Sequence, residues 1–444
     1  MDNKLALLGG PSVVPENQPK DALFKWPIIT EEDEAAALDV IRNNTYSNTD
    51  ITLKFEDEFA QWIGRKYAVS YCNGTMSLAA AMFAIGLGAG DEIICPTKTY
   101  WASITQASTF GAAAVFCNID ENLVIDPKDI ERCISPKTKA IMVVHYCSYP
   151  ADMDAIMAIA KKHNLKVIED VSHAQGGLYK GKRLGTFGDV AAMSLMSQKT
   201  FAAGELGVVV TDNRECYERA IAYGHYERNS PNYIVETEYL KGYTGIALGG
   251  VKGRPNQLCT ALARVQLKYF DERCKVIRQA MNYYFDQIDQ IDGLHAIRVD
   301  ESTGSNNAGF YGAMIRYNPE KFGGLSAAKF AEAVRSETHN YCYAGGNFPL
   351  HTHNFFKTFD FMNVGKPSRI AYTDRDVRQL DDACKPSEIT NAFNTVCFVK
   401  FDKEWIDLYV KAFQKVAANY QQLLDDEKEQ EAKQSGRWFG LKDE

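Results

Sequence analysis

The chain has 444 residues, of which 45% are hydrophobic and 24% charged, a composition typical of a soluble globular protein. Its length favours two domains over one. The formal net charge of −8 argues against nucleic acid as a main partner, because phosphate backbones bind to basic surfaces.

The cysteines, the histidines and the apolar segments exclude further classes of protein. The 11 cysteines and 8 histidines show no metal-site spacing, so we expect reduced thiols and no metal. The N-terminus lacks the basic start and the long apolar run of a signal peptide. No apolar stretch is long enough for a transmembrane helix, so we predict a cytoplasmic protein without a membrane partner.

The first half of the chain carries the pattern of an α/β domain. After an extended N-terminal arm, Thr30 and Asp33 form a capping-box-like helix start. From about residue 66, short apolar runs alternate with helical stretches, which predicts a mostly parallel sheet covered by helices. The predicted strands are KYAVSYC, DEIICP, AAVFCNI, AIMVVHY, KVIEDV and VAAMSL, and a helix is predicted for YWASITQASTF.

The pattern changes after Asp212. Residues 225–250 form a long polar stretch rich in glycine and tyrosine, and loops of this length in compact domains are often functional. A long predicted helix, NQLCTALARVQLKYFDERCKVIRQAMNYYFDQI, follows this stretch. We predict a large α/β domain over residues 1–260 and a smaller α+β domain over 261–444, with a frayed helix end in the charged tail.

Polar residues follow several strands of the predicted sheet. Ligands of open parallel sheets bind beyond the carboxyl ends of the strands, so we expect these residues to converge on one site. In chain order they are Gly74 and Thr75, Tyr100, Asp170 with His173 shortly after it, and Ser194 with Lys199.

Several of these residues have a chemical use if the ligand is pyridoxal phosphate. A helix that begins at Gly74 and Thr75 offers free amides and a positive dipole end to a phosphate. Ser194 adds a hydroxyl, and Tyr100 offers a flat face on which a pyridine ring stacks. Each feature alone also has an ordinary structural explanation, such as a helix cap or a core aromatic, and it is their joint order that indicates this cofactor.

Asp170 and Lys199 carry the central chemistry of this interpretation. A buried carboxylate at Asp170 needs a partner charge, which a protonated pyridine nitrogen supplies, and this pair keeps the ring an electron sink. Lys199 would form the Schiff base, and desolvation would lower its pKa toward the working range. Taken alone, Asp170 and His173 also fit a structural pair, and Lys199 fits a solvated lysine.

At this point the sequence resembles the DegT/StrS-like sugar aminotransferases, which have the fold-type I architecture of pyridoxal-phosphate enzymes. The strongest similarity is the segment VIEDVSHAQGGLYKGKRLGTFGDVAAMSLMSQKTFAAGELGVVVTD, with further matches in CNGTMSL, PTKTYWAS and KGRPNQLCTALARVQL. The resemblance implies the imine lysine at Lys199 and a homodimer with shared active sites. It further implies a pyridine-nitrogen ligand at Asp170, ring contacts from His173 and Tyr100, and a phosphate site of Gly74, Thr75, Ser194 and the neighbouring subunit's Lys252.

The sequence departs from the family pattern in two segments. Leu206 in GELG replaces an expected glycine, and we expect its bulk to reshape the substrate pocket near the lysine loop. Gly253 and Asn256 stand where the pattern favours an aromatic residue and a histidine. His351 in PLHTH matches a family motif near the pocket mouth, where a direct substrate role is one interpretation.

The resemblance implies an aminotransferase that moves an amino group from glutamate or glutamine to a cyclic ketone by ping-pong kinetics. The ketone would be a nucleotide-linked keto-sugar or a keto-cyclitol such as an inosose. One alternative is a keto-sugar dehydratase on the same fold, although those relatives carry histidine at the position of Lys199. Another is a non-catalytic pyridoxal-phosphate-binding regulator, which the fold alone does not exclude.

Overall fold

A seven-stranded mixed sheet forms the centre of the computed structural model, which describes residues 3–16, 21–388 and 391–424. Its strand order is β1-β9-β8-β5-β4-β2-β3, and β9 runs antiparallel to both of its neighbours. The strands of this sheet are β1 (Tyr67–Tyr71), β2 (Glu92–Pro96), β3 (Ala113–Cys117), β4 (Thr138–Val144), β5 (Lys166–Asp170), β8 (Val190–Ser194) and β9 (Gly207–Thr211). A small hairpin, β6 (Leu178–Tyr179) and β7 (Lys182–Arg183), lies between β5 and β8 in the chain.

Helices cover this sheet and connect its strands. The continuous apolar runs of the sequence become strands that are almost fully buried, as a sheet covered on both faces requires. The helices up to the end of the long loop are α1 (Glu31–Arg42), α2 (Asp50–Ile63), α3 (Gly74–Ala84), α4 (Pro127–Cys133), α5 (Met153–His163) and α6 (Arg214–Gly224). The predicted capping box at α1 is confirmed, because the Asp33 carboxylate accepts from both the Thr30 amide and the Thr30 hydroxyl.

The segment predicted as the helix YWASITQASTF differs from the prediction. It forms two short 3-10 turns, Trp101–Ser103 and Thr105–Phe110, which meet at Ile104. Ile104 has φ −140° and ψ −19°, which lies outside the helical region and breaks the ladder of helical hydrogen bonds. This break changes the direction of the chain directly after Tyr100, at the edge of the site described below.

A second sheet, four-stranded and antiparallel, follows the long helix α7 (Gln257–Ile288). Its strand order is β10-β11-β13-β12. The first part of α7 packs in the core of the large sheet through Phe270, and its second part packs in a separate core through Met281. The remaining elements are β10 (Leu294–Ala296), β11 (Ala313–Tyr317), α8 (Ala327–Thr338), β12 (Cys342–Ala344), α9 (Asn354–Thr358), β13 (Ala392–Thr395) and α10 (Lys403–Ala418).

The division into two domains, residues 1–260 and 261–444, stays a prediction. Helix α7 runs across the boundary between them. Residues 350–388, which belong to the second half of the chain, pack against the edge strand β3 of the first sheet. Arg369 Nε, for example, donates to the Ala114 carbonyl at 2.6 Å. The predicted frayed helix end at 425–444 lies outside the described residues. Within the described ranges, the helices are too short or too polar to span a lipid bilayer.

Candidate active site

A cavity of about 710 Å³ lies at the carboxyl ends of β1, β4, β5 and β8. The structure brings together at this cavity seven of the eight residues that the sequence nominated, and the eighth, Lys252, lies elsewhere. The seven are Gly74, Thr75, Tyr100, Asp170, His173, Ser194 and Lys199. They come from a helix start, three loops and two strand ends, and the shared edge of the sheet accounts for their convergence.

The start of α3 forms one end of the cavity. The Asn73 side chain caps this helix by accepting from the Met76 amide at 2.9 Å. The first amides of a helix have no partner inside the helix, so those of Gly74 and Thr75 stay available for an anion. Gly74 lies directly on Ser194, and a Cβ at position 74 would come within 2.4 Å of the Ser194 Cβ. Glycine is therefore required for the helix end to reach this close to β8.

We expect Gly74→Ala to lower the free energy of unfolding by about 1–3 kcal/mol, the usual cost of overpacking a tight contact. The same change would displace the helix end from Ser194 and weaken phosphate binding. Chemical denaturation and a titration with pyridoxal phosphate measure the two effects.

Gly88→Ala is the matched control, because the added Cβ would have no neighbour closer than 4.0 Å. Equal stabilities and cofactor affinities of the two variants would show that the contact between Gly74 and Ser194 is not close in solution.

Asp170 ends β5 and is 3% exposed. Its Oδ2 accepts from Ser103 Oγ at 2.7 Å, and its Oδ1 accepts from the Ser172 amide at 3.0 Å. Ser172 Oγ in turn accepts from the Ser194 amide at 3.0 Å. A carboxylate oxygen accepts more than one hydrogen bond, so Asp170 keeps capacity for a cationic N–H in the cavity.

Lys199 is buried in the loop after β8. The Trp26 indole donates to the Lys199 carbonyl at 3.0 Å, which fixes the backbone of the lysine from the N-terminal arm. The Lys199 Nζ lies 4.3 Å from the centre of the Tyr311 ring. Burial lowers the pKa of Lys199 to about 8, and the negative charge of Asp170 opposes this shift. The uncharged, nucleophilic amine is therefore more abundant near neutral pH at Lys199 than at an ordinary exposed lysine.

His173 and Lys199 both contact Tyr311, a residue of the second half of the chain. The His173 ring stacks on the Tyr311 ring with centroids 4.0 Å apart. Burial and the charge of Lys199 hold the pKa of His173 well below its usual value, so the ring is neutral. The Cys147 amide donates to Nδ1 at 3.3 Å, and the neutral ring therefore carries its proton on Nε2. His173 thus offers one N–H donor.

The sequence motifs did not identify several of the residues that line the cavity. Those from the second half of the chain lie more than 100 residues from Lys199, and no local pattern marks them. Ser103 is different, because it lies in the segment PTKTYWAS that carried Tyr100. The missed residues include Ser103, Tyr146, Cys147, Gln198, Glu205, Tyr311, Tyr341, Tyr343, Asn347 and Asn394.

The expectation for Leu206 is wrong. Its side chain is fully buried in the core of the large sheet and does not line the cavity. Its carbonyl accepts from the Leu195 amide at 2.8 Å, which fixes the loop on the sheet. Its neighbour Glu205 lines the cavity instead.

The other departures from the family pattern also have structural reasons. Tyr71 fills the space beside Gly253, where an added Cβ would come within 2.7 Å of the Tyr71 ring. The Asn256 side chain caps α7 by accepting from the Leu258 amide at 2.8 Å. The Lys252 Nζ lies 5.6 Å from the Tyr226 ring centre, outside the cavity of its own chain.

His351 is placed away from the cavity of the described structure. Its Nδ1 lies 2.6 Å from Thr97 Oγ1, and its Nε2 lies 3.0 Å from Glu388 Oε1. Both ring nitrogens are thus occupied by protein partners. This arrangement favours an anchoring role for His351 over direct contact with substrate.

One group of residues has the composition of a metal site. Ligand atoms of Cys117, Asp129 and Cys133 lie within 4.8 Å of one another. The Asp129 carboxylate is, however, bound by Arg132 through two hydrogen bonds of 2.7 Å. Because a guanidinium already holds this carboxylate, we assign no metal to the group.

The fold and the sequence are shared with known proteins. The chain superposes on an aminotransferase from Psychrobacter cryohalolentis with a TM-score of 0.75 and 27% identity, covering 90% of this chain and 100% of that one. It is 31% identical, over 80% of its length and 83% of the relative's, to a putative L-glutamine:3-amino-2,3-dideoxy-scyllo-inosose aminotransferase from Micromonospora echinospora. It is 37% identical to the GDP-perosamine synthase of Escherichia coli O157:H7, over 54% of this chain and 64% of that protein.

These likenesses define the class of protein. The fold is that of the fold-type I pyridoxal-phosphate-dependent transferases, which confirms the predicted fold class. A sequence profile of the DegT/DnrJ/EryC1/StrS aminotransferase family matches residues 27–364, and the chain belongs to this family. The resemblance that the sequence motifs carried is thereby confirmed.

Proposed function

We propose that the protein is a pyridoxal-phosphate-dependent aminotransferase that moves an amino group from glutamate or glutamine to a cyclic ketone. The ketone would be a nucleotide-linked keto-sugar or a keto-cyclitol such as an inosose. The observation that carries this proposal is the placement of Lys199 and Asp170 on one cavity that also contains a helix N-terminus. The family and the named activities of the relatives support it.

The residues of the cavity fit the cofactor. The amides of Gly74 and Thr75 and the hydroxyl of Ser194 would hold its phosphate, and Tyr100 would cover one face of its ring. Asp170 would bind the ring nitrogen, and His173 would donate from Nε2 to a ring substituent. When bound, pyridoxal phosphate supplies an electron sink and carries the amino group between the two substrates.

Lys199 would hold the cofactor and move protons during both halves of the reaction. In its uncharged form it would take a proton from the donor's Cα, and in its charged form it would return one. A group with a pKa of about 8 is suited to both directions near neutral pH. Because the amino group leaves one substrate before the other binds, ping-pong kinetics are expected.

The wall of the cavity that is formed by Tyr146 and by residues of the second half of the chain would bind the acceptor. It is lined by uncharged hydrogen-bonding side chains, which suit the hydroxyl groups of a sugar or cyclitol ring. Tyr146 and Asn347 are joined here by two hydrogen bonds, in which the Tyr146 hydroxyl donates at 2.7 Å and accepts the Asn347 amide at 2.9 Å. The other members of this wall are Tyr341, Tyr343 and Asn394.

We further propose that the chain acts as a cytoplasmic homodimer in which Lys252 reaches the cofactor phosphate of the neighbouring subunit. The loop before Lys252 exposes several large apolar side chains, including Tyr243 at 58% and Ile246 at 66%. Apolar groups exposed in one region are typical of a subunit interface. Sedimentation of the purified protein distinguishes a dimer from a monomer.

The two alternatives are less well supported. A dehydratase of this fold carries histidine where this chain has Lys199, and the amine is what an aminotransferase needs to return protons to the donor carbon. A binding protein without activity has no use for a buried lysine whose pKa is lowered to about 8.

Addition of glutamate or glutamine to the cofactor-loaded protein tests the function. We expect the visible absorbance of the lysine-bound cofactor to disappear as the matching 2-oxo acid is released. A panel of keto-sugars and inososes then identifies the acceptor that restores the absorbance. An unchanged spectrum with every donor would support the non-catalytic alternative.

A further inference from the structure

Ser103 makes a direct contact with the carboxylate of Asp170. Ser103 Oγ donates to Asp170 Oδ2 at 2.7 Å, and both side chains line the catalytic cavity. Ser103 is 1% exposed, so this hydrogen bond is shielded from solvent. The Ser172 amide holds the other oxygen of Asp170 at 3.0 Å. Both oxygens of the carboxylate are thus fixed before any ligand binds.

The direction of these hydrogen bonds follows from the chemistry of the groups. An ionised carboxylate only accepts, so the single hydroxyl proton of Ser103 is used toward Asp170. Thr99 Oγ1 lies 2.9 Å from Ser103 Oγ, and Thr99 is therefore the donor in that contact. Two hydroxyls in series polarise one another, which makes Ser103 a stronger donor to Asp170.

The loop that carries both hydroxyls is anchored by the segment that covers β3. The Leu350 amide donates to the Thr97 carbonyl at 2.6 Å, and His351 lies 2.6 Å from the Thr97 hydroxyl. Glu388 holds the other nitrogen of His351 at 3.0 Å. These contacts fix Thr99 and Ser103 in relation to Asp170.

We propose that Ser103, supported by Thr99, is a positioning residue that holds the Asp170 carboxylate oriented toward the ring nitrogen of the cofactor. The inference rests on the proposed function. A hydrogen bond to a carboxylate favours its charged form over its protonated form. With the Ser103 donor in place, the shared proton stays on the ring nitrogen, where the charge is needed. Without it, the proton moves toward Asp170.

The variant Ser103→Ala removes the donor, and Ser103→Thr retains it. We expect Ser103→Ala to bind pyridoxal phosphate about tenfold more weakly, the effect of one lost hydrogen bond to a charged group. We also expect a higher pH midpoint for the visible absorbance change of the lysine-bound cofactor. A positive charge on the ring nitrogen favours loss of the proton from the nearby Lys199 nitrogen. When the ring nitrogen lacks its proton, the Lys199 nitrogen therefore keeps its own proton to a higher pH. Ser103→Thr should match the wild type in both measurements.

Two further variants keep the test decisive. Thr99→Val should shift the midpoint in the same direction by a smaller amount, and it replaces Ser103→Ala if that variant does not fold. Ser108→Ala removes a buried hydroxyl that does not line the cavity, and both readouts should stay unchanged. The charge of Asp170 acts on the titratable side chains of Lys199 and Cys95, and these variants alter neither side chain.

The outcomes separate this inference from the proposed function. If the wild type forms no borohydride-reducible adduct with pyridoxal phosphate, the proposed function itself fails. If the adduct forms but Ser103→Ala and Thr99→Val keep the wild-type affinity and midpoint, only the role of Ser103 is refuted. A loss of thermal stability with an unchanged midpoint would show a purely structural role and would also refute it.

Discussion

Replacing Lys199 with alanine is expected to abolish transamination while leaving the phosphate site intact. The loss of the proton-transferring group alone costs about 10²–10⁴ in rate, and the covalent link to the cofactor is lost as well. The variant should still bind pyridoxal phosphate through the start of α3 and Ser194, but without a borohydride-stable adduct. Mass spectrometry after reduction measures the adduct directly.

The pH dependence of cofactor capture provides a second readout for Lys199. Burial lowers its pKa to about 8, so the reactive, uncharged amine increases as the pH rises through that value. Adduct formation in the wild type should therefore accelerate between about pH 7 and pH 9. A rate that falls over this range would contradict the assigned role.

Lys98 is the matched control for Lys199. It is also buried, and burial lowers its pKa to about 8 as well, yet it does not line the cavity. Lys98→Ala should keep the adduct. If the adduct instead survives in Lys199→Ala and disappears in Lys98→Ala, the nucleophile is Lys98 and the proposed site is wrong.

Asp170→Asn is expected to reduce transamination by about 10² or more while the adduct on Lys199 still forms. The substitution preserves the shape of the side chain but removes the charge that pairs with the ring nitrogen. Loss of one partner of a buried ion pair costs about 3–5 kcal/mol, and each 1.36 kcal/mol is a factor of ten. Steady-state rates with glutamate and the reduced adduct measured in parallel separate catalysis from cofactor binding.

A cofactor analogue methylated on its ring nitrogen tests the reason for this loss. Such an analogue carries the positive charge permanently, so it no longer needs Asp170 to retain a proton. It should restore part of the activity of Asp170→Asn and give no such gain to Lys199→Ala. Equal activity of wild type and Asp170→Asn with the natural cofactor would remove Asp170 from the mechanism.

Much of the candidate site is predictable because its residues lie close to strand ends in the sequence. Asp170 closes the apolar run of β5, and Lys199 follows β8 by five residues. Strands that share one sheet bring such positions to the same edge, so local order is enough to place them together. The start of α3 at Gly74 is equally local, because a helix cap depends on neighbouring residues.

The direction of a side chain in a loop is less predictable. Leu206 and Glu205 are adjacent, yet the first packs in the core and the second lines the cavity. The backbone angles of the loop decide this, and those angles depend on packing against β8 and β9. The two 3-10 turns after Tyr100 are a further case, since the break at Ile104 is not visible in the pattern of apolar residues.

The sequence by itself determined the fold class, the family and the group around Lys199 and Asp170, because hydrophobic periodicity and short motifs are local properties of the chain. Only the tertiary structure placed Tyr311 beside His173 and Ser103 on the Asp170 carboxylate. The physical reason is that these contacts form when the second sheet and the 97–103 loop pack against the first sheet. Packing between distant segments depends on the whole shape of the molecule, and no short stretch of sequence encodes it.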